Sequence, residues 1–196
     1  MSASRRYSSG PGGHRDVCPA THARFLDHPL RRLFHPPKRI LDRYICRGDA
    51  VLDIGPGSGF FTRPMARMVG DEGYVVAADL QDEMLAMLKQ RAESEGLLSR
   101  IRIHRTSADT LGLTGYGPFD FILAFYVIHE LPDAGRCFCE IAPLLRPGGR
   151  MLIAEPKSRI SAGDFERVVA TAAAAGLVPV EMPAVFLSRA ALMEKA

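Results

Sequence analysis

The sequence predicts a doubly wound α/β fold, with a mostly parallel seven-stranded sheet that ends in an antiparallel hairpin. Three observations carry this prediction. From Asp49 onward, short apolar runs alternate with amphipathic stretches of helical period. The first apolar run passes straight into the glycine-rich turn Asp53-Ile54-Gly55-Pro56-Gly57-Ser58-Gly59. The last two apolar runs lie too close together for a crossover helix, so they must pair antiparallel.

The elements follow in order. Residues 1–16, MSASRRYSSGPGGHRD, are rich in Ser, Gly and Arg and are expected to form a disordered tail. Residues 17–47 read as a helical cap, broken at Pro36-Pro37 and resumed through Ile40, Leu41, Tyr44 and Ile45. Residues 48–196 form the main domain. AVLDIG (50–55) and YVVAAD (74–79) are buried strands, each followed by a helix, from Phe60 to Val69 and from Asp82 to about Ser94. IRIHRT (101–106) alternates, and FDFILAFY (119–126) is nearly continuous. A helix from Asp133 to Leu145 leads into the strand RMLIAE (150–155). Ser161 with Asp164 three residues later opens a helix, Phe165 to Ala175, that stops at Gly176. LVPVEM (177–182) and AVFLSRAAL (184–192) close the sheet.

Composition bounds the function. The chain has 196 residues, 25 Lys and Arg against 22 Asp and Glu, and 47% apolar residues. That is one globular domain, neither fibrous nor disordered. No apolar run approaches the roughly 18 residues of a membrane helix. Basic residues near the N-terminus have no apolar stretch behind them, so the expected location is the cytoplasm. Four scattered Cys make no disulfide framework. Cys137 and Cys139 point about 200° apart on a helix, and no metal is expected. Residues 1–47 carry a balance of +7 and the remainder −4. Such asymmetry can mark a nucleic-acid surface or a solvated basic cap.

In doubly wound sheets, ligands bind outside the carboxyl ends of the strands, where strand order reverses. The glycine turn sits there. Its spacing is GxGxG with an acid two residues ahead, whereas a dinucleotide turn would need glycine where Phe60 stands. No Lys-Ser or Lys-Thr follows, as a phosphate loop requires. An acid at Asp53 repels pyrophosphate and suits a cationic amino-acid group. Asp79 ends the second strand, 24 residues after Gly55, where a carboxylate can accept both hydroxyls of a ribose or cap the next helix. Ser107-Ala108-Asp109 lies at the same rim, where Asp109 can accept from an adenine amino group or serve only as a loop residue.

VLDIGPGSGFFT, VVAADL, SAD, FDFILAFYVIHELPD and LLRPGGRMLIAEP, in this order over roughly residues 48–156, resemble the class I S-adenosylmethionine-dependent methyltransferases. Within them the chain is most similar to the small stand-alone group called type 11 or UbiE-like. The resemblance implies a Rossmann-like methyltransferase fold and S-adenosylmethionine as cofactor. It implies that Gly55, Gly57 and Gly59 hold the methionine portion, with Asp53 facing its ammonium. Asp79 would bind the ribose and Leu80 would pack on adenine. Asp109 and the Ala108 backbone would read the adenine edge, and Phe125 would line the pocket by the sulfonium.

A sulfonium methyl is already activated, so alignment and exclusion of water supply most of the rate. Where the acceptor carries an O–H, N–H or acidic C–H, a base helps. His129 is the first candidate for acceptor contact and Tyr126 the second; the competing reading of His129 is a structural histidine. His22, His28 and His35 do not share one helical stripe and read as core or surface residues. Cys18 reads as an unreactive thiol. The chain leaves little room for a macromolecular docking domain, so the expected partner is a small-molecule methyl acceptor. An RNA methyltransferase anchored by the basic segment, or a cofactor-binding pseudoenzyme, are the alternatives.

Overall fold

Apolar residues at alternate positions of each strand give the sheet two buried faces, and helices cover both. The structure, a computed structural model, describes residues 33–196. The expected tail over 1–16, most of the expected cap, and Cys18, His22 and His28 lie outside the described residues.

A short helix α1 (Pro37–Leu41) precedes β1 (Ala50–Ile54), α2 (Thr62–Val69), β2 (Tyr74–Asp79) and α3 (Asp82–Ser94). Then come β3 (Ile101–Arg105), β4 (Phe119–Phe125), α4 (Ala134–Ile141) and β5 (Leu145–Pro156). α5 (Ala162–Ala174), β6 (Leu177–Glu181) and β7 (Ser188–Lys195) complete the chain. The seven strands form one sheet in the order β3-β2-β1-β4-β5-β7-β6. β7 runs antiparallel to both β5 and β6; the other pairs are parallel. Val51, Val75, Phe121 and Leu152 face α2 and α3, while Leu52, Val76, Ile122 and Met151 face α4 and α5. No helix among the described residues is long and apolar enough to cross a membrane.

Three boundaries differ from the sequence reading by four or five residues, each for a local reason. The expected helix to Leu145 stops at Ile141 and tightens into a 3₁₀ turn over Ala142–Leu144, where Pro143 lacks an N–H. β5 begins five residues early, because Leu145 already pairs with Phe119. The ladder then resumes at Phe121 with Arg150, and the residues between bulge out. β7 starts at Ser188 rather than residue 184. The Ser188 N–H closes a turn onto the Val185 carbonyl at 3.1 Å, and Leu187 sits at φ 52°. Phe186 and Leu187, apolar enough to read as strand, are exposed in that turn. The predicted Ser161 cap is present, accepting from the Asp164 N–H at 3.1 Å.

Helix α4 shows how the pattern separates faces. Cys137 is buried and Cys139 exposed, as their angular separation requires. Burial pushes the Cys137 thiol up to about 12, which makes it unreactive. Between them Phe138 is fully buried against the sheet. Phe138→Ala should destabilise the protein by about 3–5 kcal/mol. Cys139→Ala should change stability by less than about 0.5 kcal/mol. Urea unfolding of both variants checks this, and equal effects would mean that α4 presents a different face.

Candidate active site

The order of the sheet reverses between β1 and β4, and the chain segments leaving those strands diverge. A cavity of about 810 Å³ opens there, at the carboxyl ends of β1, β2 and β4. That is within the ~300–1,000 Å³ of small-molecule and cofactor sites.

Its first wall is the glycine turn. Gly55, Gly57 and Gly59 all have left-handed φ values, 66°, 54° and 89°. Gly55 and Gly57 line the cavity. The demand on Gly55 is also steric from behind, since a Cβ there would lie 2.7 Å from Val127 Cγ2. Gly59 lies off the cavity wall; a Cβ there would meet Leu88 of α3 at 2.3 Å, so it serves helix packing. Buried Asp53 accepts a 2.6 Å hydrogen bond from Thr62 Oγ1 at the start of α2. Ser58 Oγ, buried beside them on the wall, has no hydrogen-bond partner among the described residues.

Asp79 is only 8% exposed and ties the second strand to this turn. Its Oδ2 accepts from Gly57 N–H at 3.1 Å and its Oδ1 from Gln81 N–H at 2.9 Å, just ahead of α3. Burial raises its carboxyl above the ordinary aspartate range, and the N–H donors pull it partly back. Leu80 lines the cavity next to it. Ala108 and Asp109 line the rim, exposed on a turn closed by Ser107 N–H to the Thr110 carbonyl at 3.0 Å. Glu140 of α4 holds that turn, accepting from Thr110 Oγ1 at 2.9 Å and Leu111 N–H at 2.8 Å.

The end of β4 forms the opposite wall. The Phe125 ring lies 4.5 Å from both Phe61 and Tyr126, centroid to centroid. Tyr126 still pairs its N–H with the Ala154 carbonyl at 2.8 Å, then adopts φ 66°, which turns the chain out of the sheet. Its hydroxyl lies 2.6 Å from Ser188 Oγ and 3.1 Å from His35 Nε2. Ser188 donates its own proton to the Phe186 carbonyl at 3.0 Å, so it must accept from Tyr126. His35, 7% exposed, also points Nε2 at that carbonyl, at 2.8 Å, and so carries its proton there. The hydroxyl of Tyr126 is thus engaged with Ser188 and His35, while Tyr126 also lines the cavity.

His129 sits in the 3₁₀ turn Ile128–Glu130 and lines the cavity. Its Nδ1 pairs with Glu155 at the end of β5. Glu155 is fully buried, and its second oxygen accepts from Ile128 N–H at 2.8 Å. The sequence reading passed over Glu155, although it ends an apolar strand as Asp53 and Asp79 do.

These residues fit the expected S-adenosylmethionine. Among the described residues, Asp53, Asp79, Asp109 and Glu130 outnumber the one guanidinium on the wall, Arg159, and so favour a cationic ligand. The Ser58 hydroxyl adds a polar group at the glycine turn, and Phe60, Phe61 and Phe125 line the same cavity. Among the described residues, no group of three His, Cys, Asp or Glu is placed to hold a metal.

The chain is similar in sequence and fold to several known proteins. A family model described as a methyltransferase domain matches residues 52–153. The chain is 35% identical over 108 residues to a ubiquinone/menaquinone biosynthesis C-methyltransferase UbiE of Teredinibacter turnerae, covering 55% of this chain and 43% of that relative. It is 34% identical over 116 residues to the UbiE protein of Idiomarina loihiensis, covering 59% and 46%. The chain thus spans less than half the length of these curated relatives. Its fold matches the crystal structure of an S-adenosylmethionine-dependent methyltransferase from Aquifex aeolicus, with TM-score 0.82, 22% identity and coverage of 92% and 100%. The matched residues contain the glycine turn, Asp79, the rim turn and the whole of β4, and the chain belongs to the methyltransferase-domain family, with a Rossmann-like fold shared with the Aquifex aeolicus enzyme.

Proposed function

We propose that this chain transfers the methyl group of S-adenosylmethionine to a small-molecule acceptor, with His129 taking the acceptor's proton. The observation that carries this reading is the cavity at the strand-order reversal. Its lining brings together the carboxylates of Asp53, Asp79 and Asp109, the rings of Phe61 and Phe125, and His129. The acceptor class is supported by the size of the cavity and by the UbiE relatives, whose names place them in ubiquinone/menaquinone biosynthesis as C-methyltransferases. Exposed thiols at Cys46 and Cys139 suit the reducing cytoplasm.

When bound, S-adenosylmethionine supplies an activated methyl on a positively charged sulfur. The protein's task is to hold, align and dry the site. Asp79 would accept from the ribose hydroxyls while staying bonded to Gly57, so ribose binding and the glycine turn reinforce one another. Asp53 would face the ammonium, and the Ala108–Asp109 rim would read the adenine edge. Phe125 and Phe61 would exclude water, and His129 would receive the proton that the acceptor loses.

Asp79→Ala should weaken S-adenosylmethionine binding at least tenfold, the loss of about one charge-assisted hydrogen bond. In the wild type, affinity should decline on acidification earlier than an ordinary aspartate near pH ~3.9 would allow. The sign follows from the raised carboxyl. It favours folding while protonated and loses that contribution as pH rises through its folded value, whereas the ligand needs the charged form. Calorimetric titration over pH checks both points; unchanged affinity in the variant would remove the ribose assignment.

His129→Ala should cut methyl transfer by about 10²–10⁴ while cofactor affinity stays unchanged. The measurement is transfer from methyl-labelled S-adenosylmethionine to a panel of small phenols and quinols. Full turnover in the variant would reduce His129 to a structural residue. Cofactor binding by the wild type without transfer to any of the panel would favour a pseudoenzyme.

A further inference from the structure

We infer that Glu155 is the positioning residue that makes His129 a base, by holding the ring proton on Nδ1 and leaving Nε2 as the nitrogen that accepts. This rests on the reading of His129 given above and extends it to a residue outside the cavity wall. Glu155 is fully buried, and both of its oxygens are engaged. Oε1 accepts from the Ile128 N–H at 2.8 Å and Oε2 faces His129 Nδ1. An ionised carboxylate can only accept, so Nδ1 carries the proton. Nε2, on the other side of the ring, turns toward the cavity side and lies 3.9 Å from Oε1 of Glu130, which also lines the cavity.

The geometry explains why the pair is rigid. Glu155 lies in register with Arg189 of β7, inside the sheet, one residue before Pro156 ends β5. Tyr126 leaves β4 at a left-handed φ, and two residues later Ile128 N–H is caught by the same carboxylate that orients His129. One buried anion therefore fixes both the backbone of the turn and the ring it carries. During transfer, the proton would leave the acceptor for Nε2, the electron pair of that bond would form the new bond to the methyl, and the pair of the broken methyl–sulfur bond would return to sulfur and neutralise it. The resulting imidazolium keeps its Nδ1 proton on Glu155, whose charge offsets the new positive charge. A buried ion pair of this kind is strong only when every lone pair is satisfied, and here the Ile128 N–H satisfies the second oxygen.

The amide variant makes the idea testable without an identified acceptor. In Glu155→Gln the side-chain oxygen must stay on the Ile128 N–H, which can only donate. The NH₂ group then faces Nδ1, which must become the acceptor, and the ring proton shifts to Nε2. Full-length protein carrying ¹⁵N-histidine, at about pH 8.5 where an ordinary imidazole is neutral, would report both ring nitrogens by NMR. The His129 signals are assigned by their loss in His129→Ala. The expected wild-type spectrum shows a protonated Nδ1 and a bare Nε2, and Glu155→Gln should reverse this ratio by at least tenfold.

A wild-type ring protonated on Nε2 would overturn the proposal by itself, even were Glu155→Gln not to fold. A folded Glu155→Gln that keeps the wild-type tautomer would overturn it too. The labelled-methyl assay of His129→Ala stands apart. Full turnover there, with the expected tautomers, would sink the catalytic reading of His129 but leave the Glu155 assignment in place.

Discussion

Between β1 and β4 the order of the sheet reverses, and the chain leaving β1 goes to the α2 face while the chain leaving β4 goes to the α4 face. Two neighbouring parallel strands that send their continuations apart cannot cover the space beyond their ends, so a cleft remains there. Every polar group of the site is placed by that constraint. Asp53 belongs to the departing end of β1, Asp79 to the end of the adjacent β2, and His129 to the turn after β4. The acids can sit buried at strand ends because N–H and O–H donors of the following turns face them. Gly57, Gln81 and Thr62 all donate to them.

A carboxylate recurs as the device that joins a strand end to the next turn. Asp79 joins β2 to the turn after β1; Glu155 joins β5 to the turn after β4. In both cases the acid lies one strand away from the turn it holds, so the sheet register sets the shape of the cavity. The cost is desolvation, visible in the raised carboxyl of Asp79. Ribose hydroxyls donating to Asp79 would offset that cost by supplying hydrogen bonds to its charged form.

Much of this was legible in the sequence, because it depends on neighbours in the chain. Strands at 50–55, 74–79 and 119–126 follow from apolar runs, and the Ser161 cap from its spacing to Asp164. The strand-end acids Asp53 and Asp79 could be placed because each lies beside a recognisable turn. Glu155 gave the same signal, an acid closing an apolar run, but its partner lies 26 residues back and only strand pairing brings the two together. The His35–Tyr126–Ser188 cluster is further still from sequence reasoning, with separations of 91 and 62 residues. The start of β7 was misplaced because Phe186 and Leu187 have strand-like chemistry; a turn closed by Ser188 overrides it. Gly59 shows the converse, a residue whose type was correctly singled out while its demand comes from Leu88 of α3 rather than from the cavity.

The central claim is that the cleft between the ends of β1 and β4 is built for S-adenosylmethionine. Calorimetric titration of the full-length protein with S-adenosylmethionine and S-adenosylhomocysteine, against NAD as a control, tests it most directly. The account predicts micromolar binding of the first two, one per chain, and none of NAD. Binding of NAD in their place, or of none of the three, would contradict it.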